Sequence, residues 1–311
     1  MSKLLFTHST EGDMRLTNYL AYQDSSDPAN KHLYEMGEII LDHYRTVLSF
    51  LSTRTTTPPC LRLQTAFAAA VFCISEDELS NKGPDELARM RGLACNLFSP
   101  FTAPPLILYI GKERSPSLQS PPLTSVSSVL ADDAEEFESW AEEWDAMTGP
   151  WPCQSGLKWQ TEPLDRKNSF IFISGSYVIW PKRWTPPQLM AESHRLLRHL
   201  QVTLYRELVH ASRSAVYGQL NSSRTIGDFG DIGRYAERLA FGGLVEMDMN
   251  DCEITLFTTD PVMPLGEGGY YLSEDQVDGL FGSDVRPINF TYLAAAKQHA
   301  RMPDYVRSTG A

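Results

Sequence analysis

The chain has 311 residues, with 27 Lys plus Arg against 39 Asp plus Glu and a formal net charge of −12. Asp132, Asp133, Glu135, Glu136, Glu138, Glu142, Glu143 and Asp145 stand uncompensated in one short segment, so the rest is close to balance, and no Lys/Arg stripe is present for a nucleic-acid backbone or an anionic membrane. No run reaches the roughly 20 apolar residues of a membrane span, and the N-terminal Met1–His8 turns polar before a secretory core forms.

Cys60, Cys73, Cys95, Cys153 and Cys252 are odd in number and contain no CxxC, which fits reduced thiols in an intracellular, cytoplasmic protein. Asp27-Pro28 reads as a cap and first helical residue. Behind it Leu33, Met36, Ile39, Ile40, Tyr44, Val47, Leu48 and Leu51 keep helical spacing. Residues 61–75 are apolar without a clear period and suit a strand or a buried helix; residues 84–97 make a second helix that stops before Pro100. Pro105–Ile110 reads as a buried strand, and the Ser- and Pro-rich stretch 114–129 as a loop or linker. This divides the chain into a mainly helical region 1–130 and a second region 131–311, unless the two form one continuous domain.

In the acidic segment Phe137, Trp140, Ala141, Trp144 and Met147 recur at intervals of three and four, giving an amphipathic helix with a solvated carboxylate face. The six tryptophans all fall between Trp140 and Trp184 and make either one aromatic core or the wall of a pocket. Residues 168–180 form a strand, or a hairpin turning at Ser174-Gly175-Ser176.

The candidate chemistry lies on a helix predicted over 188–217. Leu197, Leu200, Leu204, Leu208 and Ala211 fall within about 40° of one line along it, which is a core stripe. The other side carries His199, Arg206, His210 and Arg213, with Glu207 between the two faces. An ordinary amphipathic helix has such a polar side in solvent. Leu204–Ala211, however, also reads as HExxH with Arg206 in place of the first histidine. In HExxH the two histidines sit one turn apart and bind zinc, while the glutamate acts as general base toward the zinc-bound water. A guanidinium keeps its proton and is no zinc ligand.

With these residues, Phe170–Phe257 resembles the catalytic half of the deuterolysin and lysine-specific metallo-endopeptidase families, the aspzincins. Glu207 and His210 match the second and fifth positions of HExxH. Thr225–Tyr235 resembles the loop whose aspartate is the third zinc ligand, with Asp228 and Asp231 both eligible, and Asn250, Leu256 and Phe257 fall at the spacing of the last helix. The resemblance implies an α+β, mainly helical, zincin-like scaffold with a long active-site helix. Arg206 removes one ligand and Asp251–Ile254 departs from the final motif, so no cofactor is expected; if zinc binds, His210 and Asp231 hold it.

The expectation is therefore a metallopeptidase-like enzyme whose zinc site is dismantled and whose acid and base residues act on a small molecule by isomerisation, cyclisation, condensation or hydrolysis. Glu207, His210, Arg206 and Asp231 are its catalytic candidates, with Arg206 as a fixed cation. His199, Asp228, Tyr235, Trp180 and Trp184 are its substrate-binding candidates. The alternatives are a silent pseudopeptidase that binds peptides or proteins, and a zinc peptidase with an atypical ligand set. Asp228, Asp231 and Glu237 are placed to give a carboxylate to His210 or an ion pair to Arg206. Gly227, Gly230 and Gly233 do not make a phosphate loop, and Gly175-Ser176 lacks the nucleophile elbow GxSxG.

Overall fold

The computed structural model describes residues 28–52, 57–97, 106–109, 146–150, 169–174, 177, 186–217, 231–249, 254–259 and 269–281. The acidic segment 132–145, all six tryptophans, Asp228 and Asn250 lie outside the described residues. Within them the chain is mainly helical with two small sheets, an α+β arrangement.

Helix α1 is Pro28–Ser52, and α2 is Pro58–Phe72, entered through Pro at its first turn. The apolar stretch 61–75 is thus helix rather than strand. Its lack of period has a physical origin: Leu63, Ala66, Phe67, Ala68, Ala69, Ala70 and Val71 are all buried, so α2 has no solvent stripe to create one. Cys73 closes α2 in the left-handed region at φ 56°, its N–H turned back to the last turn. Two shorter helices follow. Glu76–Ser80 (α3) opens on a reciprocal Ser75/Glu78 capping box, and Pro84–Cys95 (α4) covers most of the predicted second helix.

Leu106–Tyr109 (β1), Ala146–Pro150 (β2) and Ser169–Ser174 (β3) form a sheet in the order β1-β3-β2, with β3 parallel to β1 and antiparallel to β2. Both edges of β3 are taken by these partners, so Ser169–Ser174 is a central strand; the rest of the predicted 168–180 element, Tyr177 apart, lies outside the described residues. Met147 sits in β2, paired with Phe172, and does not extend the acidic helix.

Helix α5, Pro186–Tyr217, is the axis of the molecule and reaches α1, α2, both sheets and the two helices that follow it. Ile232–Phe241 (α6) begins at Asp231, whose side chain accepts from the N–H of Arg234, and ends at Gly242 with φ 84°. Leu244–Met249 (β4), Ile254–Thr259 (β5) and Gly269–Tyr271 (β6) make an antiparallel sheet, followed by α7, Glu274–Gly279. Leu256 and Phe257 therefore lie on a strand, not on a last helix. The stretch ITLFTT is rich in β-branched residues, and Ile254, Leu256 and Thr258, two apart, are buried.

One hydrophobic core takes residues from both sides of position 130. Tyr44, Val47 and Leu51 of α1 and Leu63 and Phe67 of α2 join Leu200, Leu204 and Leu208 of α5. At its centre Tyr205 meets Phe67, Phe241 and Phe281 edge-on, with ring centroids 6.0, 6.0 and 6.2 Å away, and donates its hydroxyl proton to the carbonyl of Leu63 at 2.9 Å. No helix among the described residues is long and apolar enough to cross a membrane.

Candidate functional site

The polar side of α5 is covered, not solvated. His199, Gln201, Thr203, Glu207, Ser212, Arg213 and Ser214 are all buried, and polar groups in such places need partners. The partners come from β2, from α6 and its cap Asp231, and from Tyr177, and they define the site.

Glu207 faces β2. The hydroxyl oxygen of Thr148 lies 2.7 Å from its Oε2 and 3.0 Å from its main-chain carbonyl oxygen. A hydroxyl has one proton to give. When Glu207 is ionised, Thr148 donates to the carboxylate; when Glu207 is protonated, the carboxyl donates to Thr148, which turns its own proton to the carbonyl. Thr148 thus serves both protonation states. Burial pushes the Glu207 carboxyl above the usual range, against the pull of His210, Thr148 and Arg206.

His210 stands one turn beyond Glu207 on α5. Its Nε2 is 3.3 Å from Oδ2 of Asp231, and the two side chains are 18% and 34% exposed. The other aspartate oxygen caps α6 at 2.8 Å from the N–H of Arg234, so one carboxylate fixes both the helix start and the imidazole. Burial would lower the His210 pKa, but the charge and hydrogen bonding of Asp231 and the charge of Glu207 outweigh it, and the ring is held above its usual value. Asp231 shows the reciprocal effect: burial is outweighed by His210, by the Arg234 N–H and by Arg206, and it is driven well below the carboxylate range.

Arg206, at the first HExxH position, turns to α6. Its Nε and Nη2 both donate to Oε2 of Glu237, at 3.0 and 2.8 Å, and the other Glu237 oxygen accepts from the N–H of Val245 in β4. Glu237 is fully buried. Burial pushes it up to about 7, although the guanidinium and the Val245 N–H favour its charged form. Two carboxylates thus divide the work: Asp231 meets His210 and Glu237 meets Arg206. The charge of Arg206 is matched inside the protein, which withdraws it from the role of a fixed cation for substrate.

Gly233 makes the arrangement possible. A Cβ there would stand 2.3 Å from Cγ of Arg206 and 2.8 Å from Nε2 of His210, so only a residue without a side chain lets the first turn of α6 settle onto α5 between them.

Two other candidates belong to the core. The Nδ1 of His199 is 2.9 Å from the hydroxyl of Tyr177, which also reaches Thr203 at 3.2 Å, and the imidazole is 1% exposed. Burial, followed by the charge of Arg206, lowers its pKa to about 3 and keeps it neutral. Tyr235 is buried and donates to the carbonyl of Ile74 at 2.7 Å. Neither side chain is open to a substrate. Trp180, Trp184 and Asp228 lie outside the described residues. Thr148, Gly233 and Tyr177 are the site neighbours that the sequence reading missed.

The zinc ion that the HExxH resemblance implies does not fit the donors present. His210 and Asp231 are two ligand types in contact, but the first position holds a guanidinium already bonded to Glu237, and among the described residues no group of three His, Cys, Asp or Glu side chains is placed to hold a metal. No protein-family model, curated protein or solved structure matches the chain. The resemblance to the aspzincins rests on the motif residues alone.

Proposed function

We propose that this chain is a metallopeptidase-like enzyme that moves protons on a small molecule without a metal, in the cleft where the related motif would hold zinc. The observation that carries this reading is the pairing of two proton-carrying groups one turn apart on α5, each tuned by a residue from another element. His210 is the group that meets the substrate. Asp231 lies against its ring and holds its pKa above the usual histidine value.

Glu207 stands behind it as the second proton carrier. A carboxylate whose pKa is raised is a stronger base than an ordinary one, and an imidazolium beside it is an acid, so the pair can remove a proton at one point of a bound molecule and supply one at another. Isomerisation, cyclisation, condensation and hydrolysis all need that exchange. The substrate class is a small molecule or short peptide with an acidic C–H or a carbonyl group, approaching from the side on which His210 and Asp231 are exposed.

The test uses the full chain, purified without a metal-affinity tag and incubated with EDTA and with panels of esters, amides, enolisable ketones and a cell metabolite extract, read by mass spectrometry. The expected result is a transformation that survives EDTA and falls about 100-fold or more in His210→Ala and Glu207→Gln. Folded variants that turn the same compound over as fast as the parent would place the chemistry elsewhere, and loss of turnover in EDTA would replace this reading with a zinc peptidase.

A further inference from the structure

We infer that the guanidinium of Arg206 is the resident cation of this site, standing in for a metal: it ties α5 to α6 and β4 through Glu237 and closes to zinc a position whose two remaining donors are still in place. The geometry supports each part. Arg206 reaches Oε2 of Glu237 through two N–H groups, and the second oxygen of the same carboxylate takes the Val245 N–H. One cation thus joins three elements, as a structural metal does. Glu237, Glu246, Asp231 and Glu207 all bear on that single charge and favour it.

The donors left over keep metal-site spacing. A tetrahedral zinc with ligands at about 2.0–2.1 Å sets neighbouring donor atoms about 3.3–3.4 Å apart. Nε2 of His210 and Oδ2 of Asp231 are 3.3 Å apart. Gly233, whose missing Cβ would meet Cγ of Arg206 and Nε2 of His210, holds the α6 turn against both. The site is therefore one ligand and one charge away from a three-ligand zinc site. Arg206→His would supply the ligand, and Glu237→Gln would remove the carboxylate that the lost guanidinium leaves buried.

This inference goes beyond the catalytic reading and does not need it, since a silent protein would keep the same cation. Metal content and thermal unfolding decide it, on parent and Arg206→His/Glu237→Gln proteins made without a metal-affinity tag. The parent is expected to carry far less than one zinc per chain, and its Tm and the NMR signals of the His210 ring should not respond to added zinc. The double variant is expected to take up about one zinc per chain, with a Tm that rises on addition and falls again with EDTA. Stoichiometric zinc in the parent, or zinc-dependent movement of its His210 signals, overturns the proposal outright. A folded double variant that stays zinc-free overturns the claim that the remaining pair is preformed; should that variant not fold, the parent measurements alone still decide whether Arg206 excludes the metal. Unchanged turnover in His210→Ala would sink the catalytic reading and leave this one standing.

Discussion

At the scale of single residues, Thr148 shows how a side chain with no chemistry of its own can set that of another. Its hydroxyl donation favours the ionised form of Glu207 against the burial that opposes it. Thr148→Val keeps the shape and removes the donor, so the Glu207 carboxyl should titrate at higher pH than in the parent. The variant should also lose on the order of 1–3 kcal/mol, the cost of leaving a buried polar group unpaired. Thr148→Ser keeps the hydroxyl and should restore the titration. Carboxyl-labelled NMR gives the midpoint and urea unfolding the stability; valine and serine variants that titrate alike would show that the hydrogen bond does not tune Glu207. The sequence made Glu207, His210 and Asp231 legible because they sit in recognisable spacing on or beside one helix. Thr148 was hidden because it comes from a strand 59 residues away, and nothing in Ala146–Pro150 marks it.

Between elements, the packing of α6 on α5 depends on a bare Cα. In an exposed helix, Gly→Ala gains about 1 kcal/mol from propensity. At Gly233 the added methyl would lie 2.3 Å from Cγ of Arg206. That stem cannot swing aside cheaply, because its far end is held by two bonds to Glu237. Overpacking costs typically about 1–3 kcal/mol and should outweigh the propensity gain, so Gly233→Ala is expected to be less stable in urea, and a gain in midpoint would deny the close approach. The same contact explains what the sequence concealed. The absence of Pro and Gly from Gln188 to Tyr217 made α5 visible as one long helix. Its Arg, His and Glu residues looked like a wet face because a helical wheel does not show that Glu237, Asp231 and Thr148 cover it. Element type was legible where period and length agreed, as in α1 and α5. It was open in α2, which is buried too completely to show a period, and misread at Leu256 and Phe257, where a family spacing for a helix fell on a β-branched strand.

For the whole molecule, the buried titratable groups pull stability in opposite directions with pH, and a difference measurement separates them. His199 is neutral in the folded protein down to about pH 3, whereas in the unfolded chain it takes a proton near 6.5. Below 6.5 the unfolded state therefore binds the extra proton, and stability falls as pH falls, by about 1.4 kcal/mol per pH unit for this one group. Glu237, raised to about 7, and Glu207, also raised, work the other way: they hold protons in the folded state that the unfolded carboxyls have lost, so their contribution is present at low pH and fades as pH rises through their folded values. His210, raised by Asp231, likewise contributes below its folded pKa and loses that contribution above it. These terms overlap the His199 window and mask it in the parent curve. Between parent and His199→Gln they cancel, because the other sites are common to both proteins. The parent's stability relative to the variant should therefore decline steadily from pH 6.5 to about 4.5, by on the order of 3 kcal/mol in all, and stay level from pH 7 to 8. Urea unfolding at five or six pH values measures it; a difference that is flat across the whole range would mean that His199 takes up protons in the folded state and is not sealed behind Tyr177.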